Sequence, residues 1–97
     1  MKQFVEVHYF TKPGMRQAFY DILIQSGIAA ASRAEEGNEK YDYYLSPHNE
    51  DELLLIELWA SVDAVAAHSQ TPHFTKLGEL KQKYVIDTTI MRYDVAD

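Results

Sequence analysis

Four histidines are the side chains of this sequence best suited to moving a proton near neutral pH: His8, His48, His68 and His73. His48 falls in a polar loop, His48-Asn49-Glu50-Asp51, and reads as surface. His8 alternates with Glu6 along a strand-like segment, which favours a structural role. His68 and His73 flank Thr71-Pro72, and the residue before a proline avoids helical geometry. A spacing of five across such a break does not put both rings on one helical face, and it is not the i, i+4 pair of a zinc-binding helix. The chain has no cysteine, so thiolate metal sites, disulfides and a cysteine nucleophile are excluded. No metal site is expected. A histidine beside an apolar pocket still serves as acid or base, which makes His68 and His73 the candidate catalytic residues.

Glu57 is the second chemical signal. In Glu52 to Trp59 (ELLLIELW) it shares a face with Leu53, Leu55 and Trp59. A carboxylate on an apolar face must find a partner, meet water in a cavity or sit at a rim. Trp59, the only tryptophan, reads either as core filling or as the flat wall of a pocket between sheet and helices. Glycine-rich phosphate loops, dinucleotide fingerprints and serine-nucleophile motifs are absent, so no cofactor is expected.

The elements that must position these residues follow from periodicity. Phe4 to Phe10 (FVEVHYF) predicts a strand with Val5, Val7 and Tyr9 on one face. One long helix is expected from about Met15 to about Ala34, with Gly27 inside it and Gly37 as its left-handed stop. Glu39 to Leu45 and Glu52 to Trp59 are expected to form an antiparallel hairpin. Ser61 caps a helix over Val62 to Ser69, and a second helical piece runs from about His73 to Lys83. A last strand covers about Val85 to Tyr93. The order β-α-β-β-α-β predicts a ferredoxin-like α+β fold, with a four-stranded antiparallel sheet and both helices on one face.

The third strand is apolar on both faces, since Leu54, Ile56 and Leu58 oppose Leu53 and Leu55. A sheet face open to water should instead alternate apolar with polar residues. A second copy of the chain is the simplest cover, so a homodimer is expected. The 97 residues suit one domain, 1–97, and the net charge of −6 makes nucleic acid an unfavoured partner. No membrane-spanning run or signal peptide is read, and a cytoplasmic location is the default expectation.

Several segments taken in order are similar to a known family. They are Thr11-Lys12-Pro13-Gly14, Glu35-Glu36-Gly37-Asn38, Glu57-Leu58-Trp59-Ala60-Ser61 and His68-Ser69-Gln70-Thr71-Pro72-His73-Phe74. Together the chain resembles the antibiotic biosynthesis monooxygenase superfamily of dimeric ferredoxin-like proteins, the dimeric α/β-barrel type. The resemblance implies cofactor-independent oxygenation of a small quinol or phenolic aromatic by molecular oxygen. Trp59 matches the family's pocket tryptophan. Glu57, Phe74 and Tyr41 join it as substrate-binding candidates, with His68 or His73 as the base. Val7 and Gly78 stand where the heme-degrading branch has its asparagine and its heme-ligating histidine, so heme degradation is disfavoured. Leu55 replaces the asparagine of the polyketide-oxidising branch. An isomerase of the autoinducer-2 breakdown type is the alternative, although Arg33 and Lys40 are the only phosphate binders that stand out. A non-catalytic small-molecule binding protein is the third reading.

Overall fold

The computed structural model describes residues 1–97 and has the ferredoxin-like topology. The elements are β1 (Lys2–Thr11), α1 (Arg16–Gln25), α2 (Ile28–Arg33), β2 (Asn38–Leu45), β3 (Glu52–Trp59), α3 (Val62–His68), α4 (Pro72–Tyr84) and β4 (Val85–Val95). The strands form one antiparallel sheet in the order β2-β3-β1-β4.

Strict alternation makes the two sheet faces chemically distinct. Along β1 every second residue, from Gln3 through Val5, Val7 and Tyr9 to Thr11, is buried under the helices. On β3 the buried set is Leu53, Leu55, Glu57 and Trp59. Register then carries the pattern across the sheet: Val5 pairs with Glu57 on one side and Arg92 on the other, and Glu57 pairs with Tyr41. Tyr41, Glu57, Val5 and Arg92 therefore form one row on this sheet face, covered by the helices over Tyr41, Glu57 and Val5 and exposed at Arg92. Phe19, Leu23 and Ile28 from the first helical segment and Leu77 from α4 close the core over this floor.

The expected single helix over 15–34 is two helices. Gly27 has φ of 83°, a left-handed conformation, and separates α1 from α2. Glycine adopts this conformation without the steric cost other residues meet. The break turns α2 so that its end delivers Glu35 to the turn before β2. Gly37 acts as expected and has a second constraint. Its φ is 89°, and a Cβ there would lie 2.7 Å from the Cβ of Ala64. The turn that carries Glu35 is thus pressed against α3.

Local signals set the second helical segment. The Ser61 side chain accepts from the Ala64 N–H at 3.1 Å, capping α3. Thr71 caps α4 by accepting from the Phe74 N–H, with Pro72 in the first turn where its missing N–H costs nothing. The Thr71 hydroxyl also donates to the His68 carbonyl at 2.8 Å. One threonine therefore fixes the end of α3 relative to the start of α4, and with it His68 relative to Phe74. No helix is long and apolar enough to cross a membrane.

Candidate active site

A cavity of about 260 Å³ lies between the sheet and helices α3 and α4. Its floor is apolar, formed by Val5, Val7 and Tyr9 of β1 and Ile90 of β4, with Leu77 and Val65 above. Gly78 lines it from α4, and a methyl group at Gly78 would meet no atom within 4 Å. The small residue helps keep the space open. The cavity's polar side chains include Glu57, His68, Tyr41, Lys81 and Arg92.

His68 is the most constrained of these. It is 5% exposed, and its Nδ1 lies 2.5 Å from Oε2 of Glu35. The same oxygen lies 2.7 Å from Nε2 of His73. A carboxylate only accepts, so both ring nitrogens donate to it. In the neutral ring this contact selects the tautomer with the proton on Nδ1 and the lone pair on Nε2. Nε2 makes no hydrogen bond in the chain, and His68 belongs to the cavity wall. The indole of Trp59 packs against the imidazole with ring centroids 4.6 Å apart and planes tilted by 36°, and Phe74 meets it edge-on at 5.2 Å.

Glu57 is 7% exposed and accepts a hydrogen bond from Trp59 Nε1 at 2.8 Å. Burial pushes its carboxyl above the usual range; the Trp59 N–H and nearby His68 pull the other way. Tyr41 has a buried hydroxyl with no partner in the chain, and burial raises its phenol to about 12.

Of the six residues expected at the site, His68, Glu57, Tyr41 and Phe74 line the cavity. Phe74 is 40% exposed, at the rim. The other two lie outside the cavity wall. Trp59 is 0% exposed and is not part of the wall; it stands one layer back, holding Glu57 and backing His68. His73 does not face the cavity, but reaches the site through Glu35. The break at Thr71-Pro72 does not separate the two histidines in space. It lets α3 and α4 turn both rings onto one carboxylate, with their donor atoms and the Glu35 oxygen all within 4.8 Å of one another.

Glu35, Lys81 and Arg92 escaped the sequence reading. A charged residue just before a left-handed glycine marks a turn but does not say what the turn meets. Lys81 and Arg92 sit among ordinary surface-like spacings. The two cations singled out from sequence are elsewhere: Arg33 donates to the Tyr41 carbonyl, and Lys40 pairs with Asp42 at 2.9 Å.

The fold and the cavity with its buried His–Glu pair define a small ferredoxin-like protein with a candidate site between sheet and helices. The sequence profile of the family described as antibiotic biosynthesis monooxygenase matches residues 3–79, and the chain belongs to that family. YcnE of Bacillus subtilis (strain 168), a proposed monooxygenase, is 30% identical over 70 residues, 72% of each chain. The crystal structure of PA3566 from Pseudomonas aeruginosa superposes with a TM-score of 0.84 at 25% identity, covering 98% of this chain and 95% of that one. A proposed antibiotic biosynthesis monooxygenase from Caulobacter crescentus CB15 has the same fold, with a TM-score of 0.89 at 22% identity over 99% and 91% of the two chains.

Proposed function

We propose that this protein is a cofactor-independent monooxygenase that oxidises a small quinol or electron-rich phenol with molecular oxygen. The observation that carries the reading is His68: a buried imidazole in an apolar cavity wall, its Nδ1 held by Glu35 and its Nε2 without a partner. Nε2 takes the phenolic proton, and Glu35 places a negative charge beside the imidazolium that forms. The phenolate passes one electron to oxygen, and the radical pair closes a carbon–oxygen bond at a hydrogen-bearing ring carbon ortho or para to the phenolate oxygen, which in a quinol is the ortho carbon. Loss of water from the resulting hydroperoxide gives the quinone. The sum is phenol plus O₂ to quinone plus water, with the substrate supplying the electrons. The protein's part is to bind, deprotonate and exclude bulk water. A volume near 260 Å³ suits one or two fused rings, since drug-sized ligands occupy pockets of about 300 Å³ or more.

The reading includes a two-fold dimer packed through the open sheet face. Tyr44, Leu54, Ile56, Leu58, Met91 and Tyr93 share that face by strand register. Tyr44, Met91 and Tyr93 are exposed in the single chain. Exposed apolar side chains gathered on one sheet face, here interleaved with Glu6, His8 and Asp42, favour an interaction site. Oxygen uptake measured across a panel of hydroquinones and naphthols tests the activity. One O₂ consumed per quinone formed, with one oxygen atom added to the ring and no hydrogen peroxide released, supports it, and no uptake with any member contradicts it.

A further inference from the structure

Two histidine rings aimed at one carboxylate oxygen are a ligand set as well as a hydrogen-bond network. Nδ1 of His68 and Nε2 of His73 stand 2.5 and 2.7 Å from Oε2 of Glu35, and the three atoms lie within 4.8 Å of one another. In sequence the histidines flank a break, and the glutamate lies 33 positions before the first of them, so no ligand spacing is visible. The fold assembles the set from three elements: the turn after α2, the last residue of α3 and the first turn of α4.

The surrounding frame holds these atoms in place. Gly37 presses the Glu35 turn against Ala64, and the Thr71 hydroxyl ties the end of α3 to the start of α4. The three side chains are between 7% and 18% exposed, with His73 at the open edge. No lysine or arginine competes for the carboxylate; those that pair with acids are Lys2, Arg33 and Lys40. The net charge of −6 favours approach of a cation. Imidazole nitrogen and carboxylate oxygen are zinc ligands, and two histidines with one glutamate leave a fourth tetrahedral position for water. Ligand atoms about 2.0–2.2 Å from one zinc ion are about 3.4 Å apart. Seating the ion therefore moves the Glu35 oxygen back by about 1 Å and draws the nitrogens together by at most about 1.4 Å. Rotation about the side-chain bonds of Glu35 and His73 supplies these shifts.

We propose that Glu35, His68 and His73 bind one zinc ion, through Nδ1 of His68, Nε2 of His73 and a carboxylate oxygen of Glu35. A neutral ring that ligates through one nitrogen carries its proton on the other. Zinc on Nδ1 of His68 thus puts the ring proton on Nε2, the nitrogen assigned the proton transfer, which then donates and no longer accepts. Zinc is therefore an inhibitor of oxygenation that needs no place in the cavity, a consequence that rests on the reading of His68 as the base.

The test is calorimetric titration of the full chain, stripped of metal by a chelator, with zinc chloride. One ion per chain is expected at micromolar affinity or tighter. His73→Gln and Glu35→Gln, each shown to be folded by circular dichroism, should bind at least about a hundredfold more weakly, because a ligand is lost. His8→Gln and His48→Gln should bind as the parent does. Ring-nitrogen NMR of the parent identifies the ligands without any variant: zinc should shift Nδ1 of His68 and Nε2 of His73 and move each proton to the opposite nitrogen. Failure to bind one ion per chain at micromolar zinc overturns the proposal. So does binding that survives both substitutions, or that shifts His8 or His48 instead. Oxygen uptake with quinols is a separate readout. Uptake that falls in step with zinc occupancy supports the site and the base together. Zinc bound at the three residues without slowing uptake keeps the metal site and defeats His68 as the base. No uptake even without zinc, beside one-to-one binding, defeats the monooxygenase reading and leaves the metal site standing.

Discussion

Nδ1 of His68 donates to Oε2 of Glu35 across 2.5 Å, and the two residues are 33 positions apart in the chain. This contact joins the turn after α2 to the end of α3. It sets which nitrogen of the cavity histidine is free to accept a proton, and it recruits His73 to the same oxygen.

Removing that carboxylate should therefore damage fold and chemistry together. Glu35→Ala strands two ring N–H groups in a mostly buried site, and each buried donor left unpaired costs about 1–3 kcal/mol. Denaturant unfolding should show a loss within or above that range. Glu35→Gln keeps an acceptor oxygen and should recover part of the stability. It should still lower kcat more than it raises KM, because the negative charge beside the imidazolium is gone. Recovery of both stability and kcat by glutamine would show that Glu35 acts by size alone.

Trp59 should behave as core. Trp59→Ala is expected to cost about 3–5 kcal/mol, the range for deleting a buried aromatic side chain. Trp59→Phe keeps most of the packing but leaves Glu57 without its indole donor. The Glu57 carboxyl should then rise further above its usual range, since burial is its largest influence and the Trp59 hydrogen bond opposes it. Carboxyl titration followed by NMR checks the direction, and an unchanged or lowered value would contradict the layered arrangement.

Gly78→Ala should stabilise the protein by about 0.4–1 kcal/mol, because a helical glycine is replaced where the added methyl meets nothing within 4 Å. The same methyl stands at the cavity wall and should weaken binding of two-ring ligands. Thermal unfolding and calorimetry on one sample check both signs. A stabilised variant with unaltered binding would place the ligand elsewhere.

His8 gives a pH dependence on the opposite sheet face. Its two ring nitrogens contact Glu6 and Glu52, and these hydrogen bonds raise its pKa above 6.5. A raised folded value means the folded protein binds the proton more tightly. The contribution is complete below the unfolded value near 6.5 and is lost as pH rises through the folded one. Tm should fall between pH 6 and alkaline pH, and His8→Gln should flatten that slope. A slope unchanged by the substitution would assign the titration to other groups.

The sequence made the architecture legible because its signals are local. The alternation in ELLLIELW specifies β3 to the residue, and Ser61 and the Thr71-Pro72 pair punctuate the second helical segment as capping chemistry requires. Gly27 was misread because a glycine within a helical stripe is equally compatible with tolerance and with a break. Only packing of α2 against its neighbours chooses the break. The site was half legible for a related reason. His68, Glu57, Tyr41 and Phe74 are chemical or aromatic residues next to recognisable boundaries. The Glu35 contact depends on a left-handed turn pressed against Ala64, which no spacing within either segment encodes. Trp59 was placed on the correct strand face. Whether that face meets cavity or core at its end is decided by where α3 lies.

The central claim is that His68 Nε2 removes the phenolic proton before oxygen reacts. The most direct measurement is steady-state oxygen consumption with a quinol substrate by the parent protein and by His68→Gln, both shown to be folded. General-base catalysis contributes about 10²–10⁴-fold, so the account predicts a kcat loss of at least about a hundredfold in the variant. Substrate binding should change little, and the rate should recover in part as rising pH ionises the phenol in solution. A His68→Gln protein that consumes oxygen at close to the parent rate at neutral pH would contradict it.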